Sequence, residues 1–156
     1  MSSLDFYDFR MTSDDDKYVE SMVDLDKECV IALNFRNKRM GCAVYQNKSQ
    51  ILVMEELFEG KPFHTASLLI SQFCPQRILI PAKIDLDLVE LIAESKRELR
   101  MPKDFAFNPT MTRLRHNGVI IAENVAKKNP LSFGCIGAIV NKIEEINVES
   151  IEWFSM

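Results

Sequence analysis

Hydrophobic and polar positions divide the first half of this chain into short runs that suit strands and longer runs that suit helices. Cys29-Val30-Ile31-Ala32-Leu33-Asn34-Phe35 is apolar almost throughout, the pattern of a central strand covered on both faces. Arg36-Asn37-Lys38-Arg39 interrupts it as a polar turn. Residues 40–45 resume the β-prone pattern, Gln46-Asn47-Lys48-Ser49 turns the chain again, and residues 50–54 form a third run. Three short runs joined by two tight turns predict an antiparallel meander. An acidic connection over residues 55–61 follows, with Gly60 and Pro62 marking a junction. In the segment 63–73, Leu68, Leu69, Gln72 and Phe73 recur three to four apart, which predicts a helix laying one face on the sheet.

The densest information lies between Phe73 and Asp87. Pro75 cannot continue a helix and pushes Cys74 out of the right-handed helical region, so the preceding helix stops there. Ile78-Leu79-Ile80, set between Pro75 and Pro81, reads as a fourth, buried strand. Asp85 or Asp87 then supplies an N-cap or first-turn carboxylate for a helix over 86–99. That helix would bury Leu88, Leu91, Ile92 and Leu99 and expose Glu90, Glu94, Lys96, Arg97 and Glu98. Phe105-Ala106-Phe107, between Pro102 and Pro109, predicts a fifth strand. Residues 112–127 read as largely helical, Asn129-Pro130 as a break, and 131–146 as an apolar helix containing Gly134 and Gly137. Three antiparallel strands followed by alternating helices and parallel strands is the order of an α/β, ribonuclease H-like mixed sheet, here with additional C-terminal helices.

Composition fits one globular domain with a sizeable core: 156 residues, 47% hydrophobic and 27% charged. The net charge of −4 is unevenly spread. Residues 1–28 carry nine acids against three bases, and the remainder carries 14 acids against 16 bases. The first stretch therefore reads as a solvated acidic tail, and the body is too weakly basic for a strong electrostatic footprint on phosphates. Cys29, Cys42, Cys74 and Cys135 lack the paired spacing of a zinc site and read as isolated reduced thiols. No basic-then-apolar leader opens the chain and no run is long enough for a bilayer, so a soluble intracellular protein is expected.

Candidate chemistry is sparse. Two-metal phosphoryl chemistry needs oxygen ligands on rigid elements, one of them near the middle of the first strand in catalytic members of this fold. That strand offers Asn34 and no acid. Glu55, Glu56, Asp85 and Asp87 are the acids a metal-dependent nuclease would use, although a solvated acidic edge and a helix cap explain them more simply. Five glycines form no P-loop or G-x-G-x-x-G pattern. His64 and His116 have no partner set for base catalysis, and Cys74 precedes a proline without a nearby base. Phe35 beside Arg36-Asn37-Lys38-Arg39 suggests a single-strand nucleic-acid contact, but a hairpin turn accounts for it. Lys83 stands where α/β sites gather, at the end of a buried strand. No catalytic, cofactor-binding or metal set emerges; Pro75, Pro81, Lys83 and Asp85 are assigned to a structural junction.

Three runs carry a family likeness: Met40-Gly41-Cys42-Ala43-Val44-Tyr45, then Val53-Met54-Glu55-Glu56, then Cys74-Pro75-Gln76-Arg77-Ile78-Leu79-Ile80-Pro81-Ala82-Lys83-Ile84-Asp85. Together they resemble the connector domain of eukaryotic MutS homologues, in particular the meiotic member that forms one half of the MutS-gamma heterodimer. Residues 107–117 resemble the segment after the last connector strand, and Phe133-Gly134-Cys135-Ile136-Gly137-Ala138-Ile139-Val140 resembles the helix that opens the lever domain.

The resemblance implies a non-enzymatic connector of a DNA clamp acting in meiotic recombination and crossover formation, transmitting ATP-driven movement and presenting a partner surface. It places ATP and magnesium in the ATPase domain of full-length members, not in these residues. It names as partners the second MutS-gamma subunit and other recombination proteins, with DNA reached only through the full-length clamp, no membrane, and a nuclear location. Phe58-Glu59-Gly60 lacks the spacing of the Phe-x-Glu element that reads mismatches, and the acidic tail stands where that domain would precede the connector. The organisation expected is an acidic flexible tail over 1–28, a ribonuclease H-like connector core over 29–109, and a helical extension over 110–156 that ends early. Trp153 and Phe154 so near the end suggest a continuation that covers them. The alternatives are a metal-dependent ribonuclease H-like nuclease and a fragment with no independent activity.

Overall fold

A seven-stranded mixed sheet runs through the middle of the molecule. The computed structural model describes residues 6–10, 29–46, 50–120 and 122–146. Strands β2 (Val30–Arg36), β3 (Arg39–Gln46) and β4 (Gln50–Met54) form the expected antiparallel meander. The β2–β3 turn has Asn37 and Lys38 at φ of 53° and 63°, the paired positive φ of a type I′ hairpin, whose twist matches that of the flanking strands. A short β5 (Leu57–Phe58) returns to β3, and α1 (His64–Phe73) crosses to β6 (Arg77–Pro81), which lies parallel to β2. From edge to edge the spatial order is β1 (Phe6–Arg10), β4, β3, β2, β6 and β7 (Arg97–Arg100), so the expected succession of antiparallel and then parallel strands is present, and both edge strands are ones that the sequence pattern does not predict.

The first of these, β1, runs antiparallel to β4. It lies within the stretch read as a flexible tail. Phe-Tyr-Asp-Phe-Arg is itself β-prone, and the count of acids across residues 1–28 hid it. The rest of 1–28, like Trp153 and Phe154, lies outside the described residues.

Two further expectations are corrected. The helix expected over 86–99 is only α2 (Leu86–Leu91); the chain turns and enters β7 (Arg97–Arg100), parallel to β6 with Ile80 opposite Leu99. Strand β7 is a charged edge, which helps to protect an unpaired strand from further pairing. Phe105-Ala106-Phe107 is not a strand. A 3-10 turn, Pro102–Phe105, tucks Phe105 into the core, and Phe107 begins α3 (Phe107–His116), where Pro109 is tolerated in the first turn. Two helices follow, α4 (Glu123–Lys128) and α5 (Pro130–Ile146).

Alternation along β2 builds both cores. Ile31 and Leu33 join Cys42, Val44, Ile78 and Ile80 beneath Phe63, Leu69 and Leu88. Val30 and Ala32 join Ala43, Tyr45, Val53 and Leu79 beneath Phe105, Met111 and α5. Residues 132–140 of α5 are buried without interruption, which marks a helix enclosed on all sides rather than an amphipathic surface helix. Small residues let it come so close. A Cβ on Gly41 would lie 2.5 Å from the Ser132 nitrogen, and one on Gly134 would collide with the Phe105 carbonyl oxygen.

Candidate functional site

The paired acids after β4 have opposite fates. Glu55 is exposed, whereas the Glu56 side chain is only 1% accessible. One carboxylate oxygen of Glu56, Oε2, accepts the backbone N–H groups of Leu131 and Ser132, the second at 3.2 Å. Its other oxygen accepts Arg39 Nε at 3.0 Å. The Glu56 N–H donates to Asn129 Oδ1 at 2.8 Å, and the Ser132 hydroxyl accepts the Cys42 N–H at 3.1 Å. Pro130 opens α5 without an N–H, so Leu131 and Ser132 carry its first free donors. Charge-assisted bonds and the positive end of the helix offset the burial of the carboxylate. Glu56 is thus a helix cap supplied by a distant strand end.

Asp85 and Asp87 sit together at the other acidic position, around the start of α2. Asp85 is the N-cap and accepts the Asp87 N–H at 2.8 Å. Lys61 pairs with Asp87 at 2.5 Å and reaches Asp85 at 4.0 Å. The hydrogen bond to Asp87, reinforced by both charges, raises the Lys61 pKa above its ordinary value. Among the described residues no three acids, histidines or cysteines converge to hold a metal ion. The four acids that a nuclease would use are therefore not assembled into one centre.

A cleft of about 950 Å³ opens instead at the carboxyl ends of β2 and β6, the edge at which open α/β sheets collect ligands. Val30 pairs with Arg77 and Ala32 with Leu79; in the same register Asn34 comes level with Pro81. Asn34 and Pro81 line the cleft with Phe35, Arg36 and Asn37 from the hairpin. Lys83 projects from the turn after β6, while Lys128 and Leu131 border the α4–α5 junction. Arg36, Lys83 and Lys128 are exposed and make no ion pair among the described residues. Arg39 completes the set of four cations, lying 5.4 Å from the centre of the Phe58 ring while it pairs with Glu56. Among the described residues Glu56 is the sole carboxylate lining this cleft, and both its oxygens are engaged.

The remaining predicted residues are scattered. Pro75 and Pro81 are buried at the two ends of β6, and Asp85 caps α2, while Lys83 faces the cleft. Cys74 ends α1 in the left-handed region at φ 48°, its N–H donating to the Ile70 carbonyl. His64 starts α1 and His116 lies in the last turn of α3, both exposed. Phe35 meets Phe63 edge to face at 5.0 Å, so its ring belongs to the packing around α1. Sequence reasoning missed Lys128 and Leu131 as cleft residues because the closure of α5 onto the sheet brings them there, and Pro102 because it arrives through the turn that follows β7.

Residues 24–109 fit the family described as the MutS5 N-terminal domain, which covers β2 through the start of α3 and includes the hairpin, Glu56 and Lys83 sides of the cleft. Among curated proteins none matches the chain.

Proposed function

Because the chain belongs to the MutS5 N-terminal domain family, we propose that it is a non-enzymatic connector of a MutS-type DNA clamp that acts in meiotic recombination and crossover formation. In this reading it passes ATP-driven movement between the regions it joins and presents a surface to the second MutS-gamma subunit and to other recombination proteins. The observation that carries the proposal is the Glu56 joint. A buried carboxylate ties the end of β4 to the start of α5, so sheet and helix must move together. A connector that transmits displacement needs such a stiff joint, and a nuclease would need that acid free to bind metal.

ATP and magnesium act, on this proposal, in the ATPase domain of full-length members, DNA is reached through the full-length clamp, and the location is nuclear. Co-precipitation of the second MutS-gamma subunit with the 156-residue chain tests it. Retention of that subunit, with no cleavage of branched DNA or RNA–DNA hybrids in Mg²⁺ or Mn²⁺, is the expected result. Loss of the partner surface follows if neither this chain nor a longer form retains the subunit, and cleavage abolished by Glu56→Ala would reinstate the nuclease.

A further inference from the structure

The cleft at the ends of β2 and β6 has a composition that a structural joint alone does not require. We infer that it docks a short acidic peptide carrying an apolar side chain, an assignment that rests on the connector reading and gives its partner surface a place and a chemistry.

Charge gives the first argument. Arg36, Lys83 and Lys128 surround the opening without carboxylate partners among the described residues, although the whole chain carries a net charge of −4. Exposed cations of this kind contribute little to folding. They do steer and orient an anionic partner. The α5 N-terminus cannot take that role, because Glu56 already accepts its Leu131 and Ser132 N–H groups. Recognition of an anion here therefore falls to long side chains, whose flexible reach suits spaced peptide carboxylates.

Beneath the cations the walls are apolar and stiff. Ile84, Phe105 and Leu131 line the cleft with Pro81, Pro102 and Pro130, and the proline rings offer no backbone donors. A volume of about 950 Å³ falls within the range of pockets that enclose a ligand group. An aliphatic or aromatic side chain fits such walls, with its neighbouring carboxylates at the cationic rim.

Single-stranded nucleic acid fits less well. Base stacking needs an open aromatic face, but Phe35 is held edge to face by Phe63, Phe105 is buried and Phe107 packs on the core. Three cations, unpaired among the described residues, give only a weak grip on phosphates, about −0.7 in logarithmic salt slope for each contact.

Selection of a random twelve-residue peptide phage library on the full chain tests the inference. Enriched peptides are expected to be net acidic with a shared apolar position. A synthetic copy should bind the Lys83→Glu/Lys128→Glu chain about tenfold or more weakly, and serine at its apolar position should weaken it comparably. Both substituted lysines are exposed, and an unchanged thermal midpoint will verify folding. Failure to enrich acidic peptides, or equal binding by the charge-reversed chain, overturns the inference. So does tighter binding of an oligo-dT probe that is lost in the same variant, which assigns the cleft to nucleic acid. Peptide failure alongside successful co-precipitation of the MutS-gamma subunit overturns the cleft and leaves the connector reading; the opposite pair of results removes the connector's partner surface and leaves the cleft.

Discussion

The Glu56 carboxylate accepts the backbone N–H of Leu131, a residue 75 positions further along the chain. Most helix caps are local, supplied by the residue just before the first turn. Here Asn129 orients the Glu56 backbone while Glu56 satisfies the helix, so the cap forms only when sheet and helix have docked.

Glu56→Ala should destabilise the protein by about 3 kcal/mol, because it leaves the half-buried Leu131 and buried Ser132 N–H groups without an acceptor and strips Arg39 of its partner. Glu56→Gln retains one acceptor and should cost roughly half as much. Urea unfolding monitored by circular dichroism measures both. The neighbouring Glu55→Gln, at an exposed position, should stay within about 0.5 kcal/mol of the parent.

Gly41→Ala should cost about 1–3 kcal/mol, since the new methyl meets the Ser132 nitrogen at 2.5 Å and the Leu131 Cβ at 2.6 Å. At Gly60 a Cβ would have nothing within 4 Å, so Gly60→Ala should be neutral or slightly stabilising. Thermal midpoints of the two variants therefore move apart, and similar losses at both positions would contradict the close approach of α5.

The Arg100 cluster predicts an acid-sensitive contribution. Arg100 pairs with Glu145 at 2.6 Å and with Asp104 at 2.9 Å, joining the end of β7 to the last turns of α5. Its hydrogen bond holds the Glu145 carboxyl below the ordinary range. A depressed folded pKa stabilises the protein above the unfolded value of about 4.3, and the contribution disappears as pH falls through the lower folded value. Glu145→Gln should therefore lose less than about 1 kcal/mol at pH 7, a small value because the Glu145 side chain is 58% exposed. The gap between parent and variant should close as the pH is lowered, as denaturation curves across pH 3–7 will report.

Thiol reactivity should follow burial. Cys74 is exposed, Cys29 half-buried, and Cys42 and Cys135 are buried. Desolvation pushes the Cys29 pKa up to about 11 and also raises those of the buried Cys42 and Cys135, which removes the reactive thiolate near neutral pH. In native protein Cys74 should label first with a thiol reagent, Cys29 slowly, and Cys42 and Cys135 only on unfolding. Rapid native labelling of Cys135 would contradict the enclosure of α5.

The central strands were legible because residues 29–35 and 78–80 are apolar without interruption, a signal that needs no knowledge of neighbours. The end of α2 was not. Leu88, Leu91, Ile92 and Leu99 share a helical spacing, and only the pairing of Leu99 with Ile80 decides that the last belongs to a strand. The cleft divides along the same line. Arg36, Arg39 and Lys83 stand at turns and strand ends that the pattern reveals, whereas Lys128 arrives through the return of α4 and α5. Nothing near Glu56 in sequence indicates the helix it serves, so its acidic neighbourhood looks like a solvated edge.

The enclosure of α5 bears on how the molecule comes apart. The family match stops at residue 109, yet a chain severed there would leave Val30, Ala32, Tyr45 and Val53 facing water on one whole side of the sheet. Such a half cannot melt independently of the other. Unfolding should be a single cooperative event in which a helix from the last third of the sequence holds together strands made in the first third.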